Sequence, residues 1–174
     1  MAKHEISVLI SEEELMKRIR ELAGQISADF EGETVKLICI LKGSIFFTCE
    51  LAKRITVPVM LDFIQVSSYG SGTVSSGTIN IKKELDEPLE GQNVVLVEDI
   101  IDSGNTLSKL IPVLKARNPK TLKVCTLLDK PDRREVEVNV DYNGFNIPDK
   151  FVVGFGLDYD QHYRNLPYVG VLSI

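Results

Sequence analysis

The residues best suited to chemistry lie in one segment, which runs from Val94 to Leu107. It reads Val-Val-Leu-Val-Glu-Asp-Ile-Ile-Asp-Ser-Gly-Asn-Thr-Leu. The apolar residues at its start predict a buried parallel strand, which the adjacent carboxylates Glu98 and Asp99 close. A loop of small polar residues follows. Beyond it, apolar residues at helical spacing predict an amphipathic helix.

A strand, a small polar loop and a helix in this order are typical of a phosphate-binding site. The backbone amides of residues 103–106 would lie at the N-terminus of the helix, where free N–H groups and the helix dipole attract an anion. Glu98 and Asp99 would lie at the carboxyl end of the strand, where open α/β sheets bind their ligands. The segment therefore offers a phosphate site beside two carboxylates that could hold ribose hydroxyls or a hard cation.

The loop matches neither of two common nucleotide-binding motifs. No lysine follows Gly104, as a P-loop requires, and the sequence is not G-x-G-x-x-G. Asp102 is unusual in an anion site because its carboxylate would repel a phosphate, so its side chain should point elsewhere. A proton-transfer role toward the other end of the ligand would explain it. A helix N-cap near Asp102 or Ser103 is the alternative, but it accounts for only one polar residue.

Composition and charge restrict the possible classes of function. The 174 residues fit one domain, 1–174, and 44% hydrophobic with 26% charged residues is ordinary for a soluble globular protein. The net charge of −5 argues against broad nucleic-acid binding, which needs a basic surface. Three widely spaced cysteines without a C-x-x-C motif favour a reduced, cytoplasmic location. No apolar run approaches membrane-spanning length, so we expect no membrane partner.

The order of the remaining elements predicts the fold class. Ser11 and Glu14 form a capping box in front of an amphipathic helix. The residue pattern predicts strands at 37–41, 59–66, 78–82, 93–97, 122–128, 151–154 and 169–172, which mostly alternate with helices. This alternation implies an α/β protein with a mainly parallel, doubly wound sheet flanked by helices. The serine- and glycine-rich segment 67–77 lies between two strands and predicts a long hairpin flap.

Several separated motifs resemble one known family. The Glu-Asp-Ile-Ile-Asp-Ser-Gly segment is similar to the motif by which type I phosphoribosyltransferases bind 5-phosphoribosyl-1-pyrophosphate (PRPP), in the version of the 6-oxopurine (hypoxanthine-guanine) branch. The likeness extends from the Leu41-Lys42-Gly43 turn to the Leu157-Asp158-Tyr159 segment. It implies a small hood formed from the C-terminal part, a mobile flap loop containing Ser68 and Tyr69, and a cis peptide bond between Leu41 and Lys42.

The resemblance also implies roles for individual residues. PRPP and its 5′-phosphate would be bound by Glu98, Asp99, Asp102, Ser103, Gly104, Asn105 and Thr106. Pyrophosphate would be bound by Lys42, Gly43 and Arg164. The purine would be bound by Lys130, Phe151, Val152 and Asp158. The implied cofactor is Mg²⁺, organised by Glu98 and Asp99, with Asp158 either at the purine edge or at a second Mg²⁺; Asp102 would be the catalytic acid/base at purine N7.

The implied reaction joins PRPP to a 6-oxopurine base, hypoxanthine or guanine or both, in a homodimer or homotetramer. One alternative is a regulator that keeps this fold and binds RNA, although the acidic net charge and the set of Lys130, Phe151 and Asp158 favour the enzyme. A second alternative is a xanthine-preferring relative. For Arg133 and Arg134, which follow Lys130, ligand contact and plain surface charge both remain open.

Overall fold

Strands and helices alternate along most of the chain in the computed structural model, which describes residues 4–67 and 79–173. The strands are β1 (Glu5–Ile10), β2 (Val35–Leu41), β3 (Val59–Ser67), β4 (Asn80–Lys83), β5 (Asn93–Ile101), β6 (Thr121–Asp129), β7 (Tyr142–Asn146), β8 (Val152–Val153) and β9 (Val169–Ser173). The helices are α1 (Glu12–Asp29), α2 (Ile45–Ala52) and α3 (Asn105–Lys115), and a 3₁₀ turn spans Pro131–Arg133.

The larger sheet has the strand order β4-β3-β2-β5-β6-β7. Its five strands from β3 to β7 are parallel, and β4 pairs antiparallel with β3 at one edge. This confirms the predicted mainly parallel sheet. Strand β5 is longer than predicted, because its ladder with β6 continues past Val97 to the pair Ile101–Asp129. Glu98 and Asp99 therefore lie within the strand rather than after it.

Apolar side chains cover both faces of this sheet, as a doubly wound fold requires. On one face, Leu37 and Val95 pack with the buried side of α1. On the other face, Ile38 and Leu96 pack with the buried leucines of α3. Within the described residues, no helix is both long enough and apolar enough to cross a lipid bilayer.

A second, smaller sheet forms the hood, in the order β1-β9-β8 with antiparallel pairing. The prediction of a hood from the C-terminal part is incomplete, because β1 comes from the N-terminus. β1 pairs with β9 from Glu5–Ser173 to Ile10–Val169. Ile10, Val152 and Val169 join the same hydrophobic cluster as α1, so the hood shares a core with the main sheet.

Burial of one face of α1 generates a prediction about stability. Leu22 is fully buried, whereas Lys17 lies on the exposed face of the same helix. We expect Leu22→Ala to lower the free energy of unfolding by about 2–5 kcal/mol, since it removes buried methyl groups and leaves a cavity. Urea denaturation monitored by circular dichroism measures this change. Lys17→Ala, the matched control, should stay within about 0.5 kcal/mol of the parent; equal midpoints for the two variants would contradict the assignment of the buried face.

Candidate active site

The carboxyl ends of β2, β5 and β6 lie side by side, and the predicted site residues that directly follow them are Lys42, Gly43, Asp102, Ser103, Gly104 and Lys130. The parallel register pairs Ile101 with Asp129, and the Lys130 amide donates to the carbonyl of Ile101 at 2.9 Å. Lys130 and Asp102 therefore leave the sheet next to each other. The Lys42-Gly43 turn leaves the neighbouring strand β2 at the same edge.

Glu98 and Asp99 form an adjacent acidic pair at this edge. Glu98 is only 8% exposed, and the Asp99 amide donates to its Oε1 at 3.1 Å. Burial raises the pKa of Glu98 well above its ordinary value, and the charge of Asp99 raises it further. Burial also raises the pKa of Asp99. Negative charge concentrated in this way favours a partner that supplies hydroxyl donors or positive charge.

Two glycines bring three chain segments into contact around this pair. A Cβ atom on Gly43 would overlap the Asp99 carboxylate, and a Cβ atom on Gly156 would overlap the Gly43 carbonyl. Gly156 also has φ +102°, a conformation that side chains with a Cβ rarely adopt. The Leu41–Lys42 peptide bond is cis, which confirms the expectation from the resemblance. The turn after β2 is thus held between the acidic pair and the hood.

The hood supplies a cluster of polar side chains beside the Lys42-Gly43 turn. Arg164 donates from Nη1 to the Gly156 carbonyl at 2.7 Å and pairs through Nη2 with Asp158 Oδ1 at 2.9 Å. Lys42 donates to Gln161 Oε1 at 3.2 Å. A cavity of about 570 Å³ opens here, lined by Leu41, Lys42, Ile45, Phe46, Gln161, His162, Tyr163, Arg164 and Asn165. Sequence reasoning missed Gln161 and Gly156, which belong to no local motif.

The loop predicted to bind phosphate connects β5 to α3, in the order of strand, loop and helix that the sequence predicts. Gly104 is the N-cap residue, with φ +85°, and Asn105 is the first helical residue. Ser103 Oγ accepts the Asn105 amide at 3.2 Å, and the Ser103 carbonyl accepts the Val136 amide at 3.0 Å. A cavity of about 90 Å³ lies over the loop, lined by Glu98, Ile100, Ile101, Asp102, Ser103, Gly104, Thr106 and Leu107.

Asp102 points toward a group of charged residues rather than into the helix N-terminus. Its Oδ1 accepts a hydrogen bond from Arg133 Nε at 3.2 Å. Arg133 also pairs with Asp149 at 3.5 Å, and Asp149 pairs with Lys130 Nζ at 3.7 Å. The structure therefore places Asp102, the predicted acid/base, in one charged group with Lys130, which is predicted to bind the purine.

Val152 and Phe151, which are also predicted to bind the purine, differ in exposure. Val152 is buried at the start of β8, as its apolar pattern predicts. The same pattern predicted a buried strand position for Phe151, and this is wrong: Phe151 lies outside the strand and is 47% exposed. Its ring meets the edge of Tyr159 with centroids 5.8 Å apart, which leaves part of the ring open to a stacking partner.

The predicted metal ligands do not form one cluster. Among residues 4–67 and 79–173, no three His, Cys, Asp or Glu side chains are grouped as a metal site, and Asp158 is paired with Arg164 instead. Glu98 and Asp99 alone still fit Mg²⁺, which proteins often hold through one or two carboxylates with substrate phosphate oxygens completing the shell. The predicted flap residues Ser68 and Tyr69 lie outside the described residues.

Comparison with known proteins decides the family. A family model described as phosphoribosyl transferase domain matches residues 9–160. The chain belongs to this family. Hypoxanthine phosphoribosyltransferase of Buchnera aphidicola subsp. Schizaphis graminum is 52% identical over 170 residues, which cover 97% of this chain and 96% of the relative. Hypoxanthine-guanine phosphoribosyltransferase of Bacillus subtilis is 48% identical over 174 residues, covering 99% and 97% of the two chains.

Solved structures agree in fold. A hypoxanthine-guanine phosphoribosyltransferase from Bacillus anthracis, crystallised with a HEPES molecule in its active site, superposes with a TM-score of 0.93 at 48% identity. The alignment covers 97% of this chain and all of that one. The type I phosphoribosyltransferase fold predicted from the sequence is therefore confirmed.

The contact between Gly43 and Asp99 generates a second prediction. Gly43→Ala should weaken PRPP binding by at least about 10-fold, because the new methyl group must displace the Asp99 carboxylate or the turn itself, and small misplacements in a site are costly. Calorimetric titration of PRPP with Mg²⁺ measures the change. Gly24→Ala is the matched control, since nothing lies within 4 Å of its added Cβ; unchanged PRPP affinity in Gly43→Ala would refute the packing role.

Proposed function

We propose that the chain transfers the 5-phosphoribosyl group of PRPP to hypoxanthine, guanine or both, releasing pyrophosphate and forming the nucleotide. One observation carries the proposal: the acidic pair, the Lys42-Gly43 turn and the phosphate loop meet at one edge of the sheet. A molecule with a phosphate at one end, a diol in the middle and a pyrophosphate at the other end matches that order. The names of the two relatives support the choice of base.

PRPP would lie across the ends of the strands. Its 5′-phosphate would bind the amides of residues 103–106 at the start of α3, where the helix dipole favours an anion. Glu98 and Asp99 would accept hydrogen bonds from the ribose hydroxyls. Lys42, the Gly43 amide and Arg164 would hold the pyrophosphate. Mg²⁺ bound at the acidic pair would neutralise charge on pyrophosphate as it leaves.

The surroundings of the ribose suit the charge that develops during transfer. When the bond from C1′ to pyrophosphate breaks, positive charge appears on the ribosyl carbon, and Glu98 and Asp99 stabilise it through their fixed negative charge. Purine N9 then bonds to C1′, and the proton on N7 moves to the Asp102 carboxylate. The hydrogen bond from Arg133 to Asp102 supports this role, because Arg133 also pairs with Asp149, the partner of Lys130.

Lys130 supplies a reason to prefer a 6-oxopurine. Its side chain is almost fully buried and has only donors to offer. A 6-oxo group accepts from that ammonium, whereas the 6-amino group of adenine would oppose one donor with another. A site built around a buried polar group rejects ligands that leave one of its donors without an acceptor. Adenine should therefore be a very poor substrate.

The proposal extends to the organisation of the protein. The chain would act as a single phosphoribosyltransferase domain over 1–174, and the shared core of hood and main sheet supports this. Assembly as a homodimer or homotetramer and a cytoplasmic location stay predictions. Sedimentation velocity tests the first, and fractionation of cells tests the second.

A direct assay tests the proposed reaction. With PRPP and Mg²⁺, we expect nucleotide formation from hypoxanthine or guanine, and addition of EDTA should abolish it. Adenine should react at least about 10⁴-fold less efficiently, as expected when a buried donor is left unpaired. Chromatographic detection of the nucleotide and of pyrophosphate measures turnover. No product from either base would overturn the proposal, and a strong preference for xanthine would replace it with the xanthine-specific alternative.

Substitution of Asp102 tests its part in the chemistry. Asp102→Asn should lower the single-turnover rate by about 10²–10⁴-fold, because the amide keeps the size of the side chain but cannot take up the proton. PRPP affinity should change little. Asp132→Asn, which alters a nearby exposed carboxylate in the 3₁₀ turn, serves as control. A defect confined to PRPP affinity would instead mark Asp102 as a residue that shapes the loop.

A further inference from the structure

Four side chains of alternating charge run across the proposed purine end of the site. Lys130 pairs with Asp149, Asp149 pairs with Arg133, and Arg133 pairs with Asp102, at 3.7, 3.5 and 3.2 Å. The two ends of this series are the proposed contact to the purine 6-oxo group and the proposed proton acceptor. Arg133 is the member that touches the proton acceptor directly.

Local structure brings Lys130, Arg133 and Asp149 together from two loops. The 3₁₀ turn after Lys130 folds the chain back, with the Arg133 amide donating to the Lys130 carbonyl at 3.1 Å. Asp149 comes from the loop between β7 and β8, which is fastened to the main sheet where the Ile147 amide donates to the Asp129 carbonyl at 2.9 Å. Both loops therefore rest on the end of β6.

The neighbouring arginine makes different contacts. The Arg134 side chain is 12% exposed, against 53% for Arg133. It pairs with Asp129, and its Nε donates to the backbone carbonyl of Asp102 at 3.3 Å. It therefore supports the backbone of the loop. Arg133 Nε, by contrast, donates to the Asp102 carboxylate itself while Nη1 of the same guanidinium faces Asp149.

We propose that Arg133 is a positioning residue for the transfer reaction, which holds the Asp102 carboxylate toward the base by bridging it to Asp149. This inference rests on the proposed function of Asp102. A planar guanidinium presents several donors in a fixed geometry and can engage two carboxylates at once, which a lysine ammonium does less well. Asp149 and Asp102 both raise the pKa of Arg133, so it stays charged throughout the working pH range.

The exposure of these side chains distinguishes a positioning role of Arg133 from a role in stabilising the fold. The side chains of Arg133, Asp102 and Asp149 are 53%, 47% and 51% exposed. Ion pairs as exposed as these contribute little to folding. Loss of Arg133 should therefore leave the protein folded and change the orientation of Asp102 alone.

A double-mutant cycle with Asp102 tests the inference. We expect Arg133→Ala to lower the single-turnover rate about 10-fold, less than the roughly 10²-fold cost of a full 1 Å misplacement, with affinities for PRPP and base within about 2-fold of the parent. Arg133→Lys should recover part of the rate. In the Asp102→Asn background, Arg133→Ala should cause no further loss, because residues that act through one group are not additive.

Arg117→Ala is the matched control, since it removes a guanidinium paired with Glu84 at the other end of α3 and should leave the rate unchanged. A parental rate in Arg133→Ala, rate losses that multiply in the double variant, or a defect confined to base affinity would each overturn the inference. The single variant Asp102→Asn separates the two proposals. Normal turnover in Asp102→Asn would overturn both the proton-acceptor role of Asp102 and the positioning role of Arg133. Slow turnover in Asp102→Asn together with normal turnover in Arg133→Ala would overturn only the positioning role of Arg133.

Discussion

The contact of the Gly43 backbone with the Asp99 carboxylate is the constraint on which the rest of the site depends. An acidic pair in which Glu98 is buried and Asp99 partly buried is costly to keep ionised, and the turn after β2 lies directly against it with no room for a side chain. Gly156 closes the other side of the turn, so the hood is brought to the sheet at this point. Arg164 reaches the site through the same hood turn, because its guanidinium is bonded to the Gly156 carbonyl.

Charge is divided along the site in a way that suits a ligand with two anionic ends. The negative side chains Glu98 and Asp99 occupy the middle, and Lys42 and Arg164 lie on the hood side. At the other end the proposed anion site consists of backbone amides at the start of α3, which would attract a phosphate without adding a formal charge. A chain with a net charge of −5 can therefore bind a polyanion, because local groups rather than the overall field provide the attraction.

Parallel strand pairing explains why these groups meet although they are far apart in sequence. The carboxyl ends of adjacent parallel strands lie at one edge, so the turns after β2, β5 and β6 become neighbours. The adjacent arginines after β6 illustrate how local geometry then separates roles. At the 3₁₀ turn, Arg133 donates to the Asp102 carboxylate, whereas Arg134 donates to the Asp102 backbone carbonyl and pairs with Asp129, although the two occupy consecutive positions.

The sequence by itself determined the parallel sheet, the capped helix α1, the phosphate loop and the acidic pair, because strand runs, helical spacing and loop composition are properties of neighbouring residues. Only the tertiary structure decided that β1 completes the hood, that Phe151 is exposed, that Gln161 meets Lys42, and which arginine pairs with the Asp102 carboxylate. Each of these outcomes depends on partners more than 25 residues away or on the side of a loop that faces solvent. Local pattern carries no information about such partners, since the same short sequence can be paired, covered or left open by the chain that folds around it.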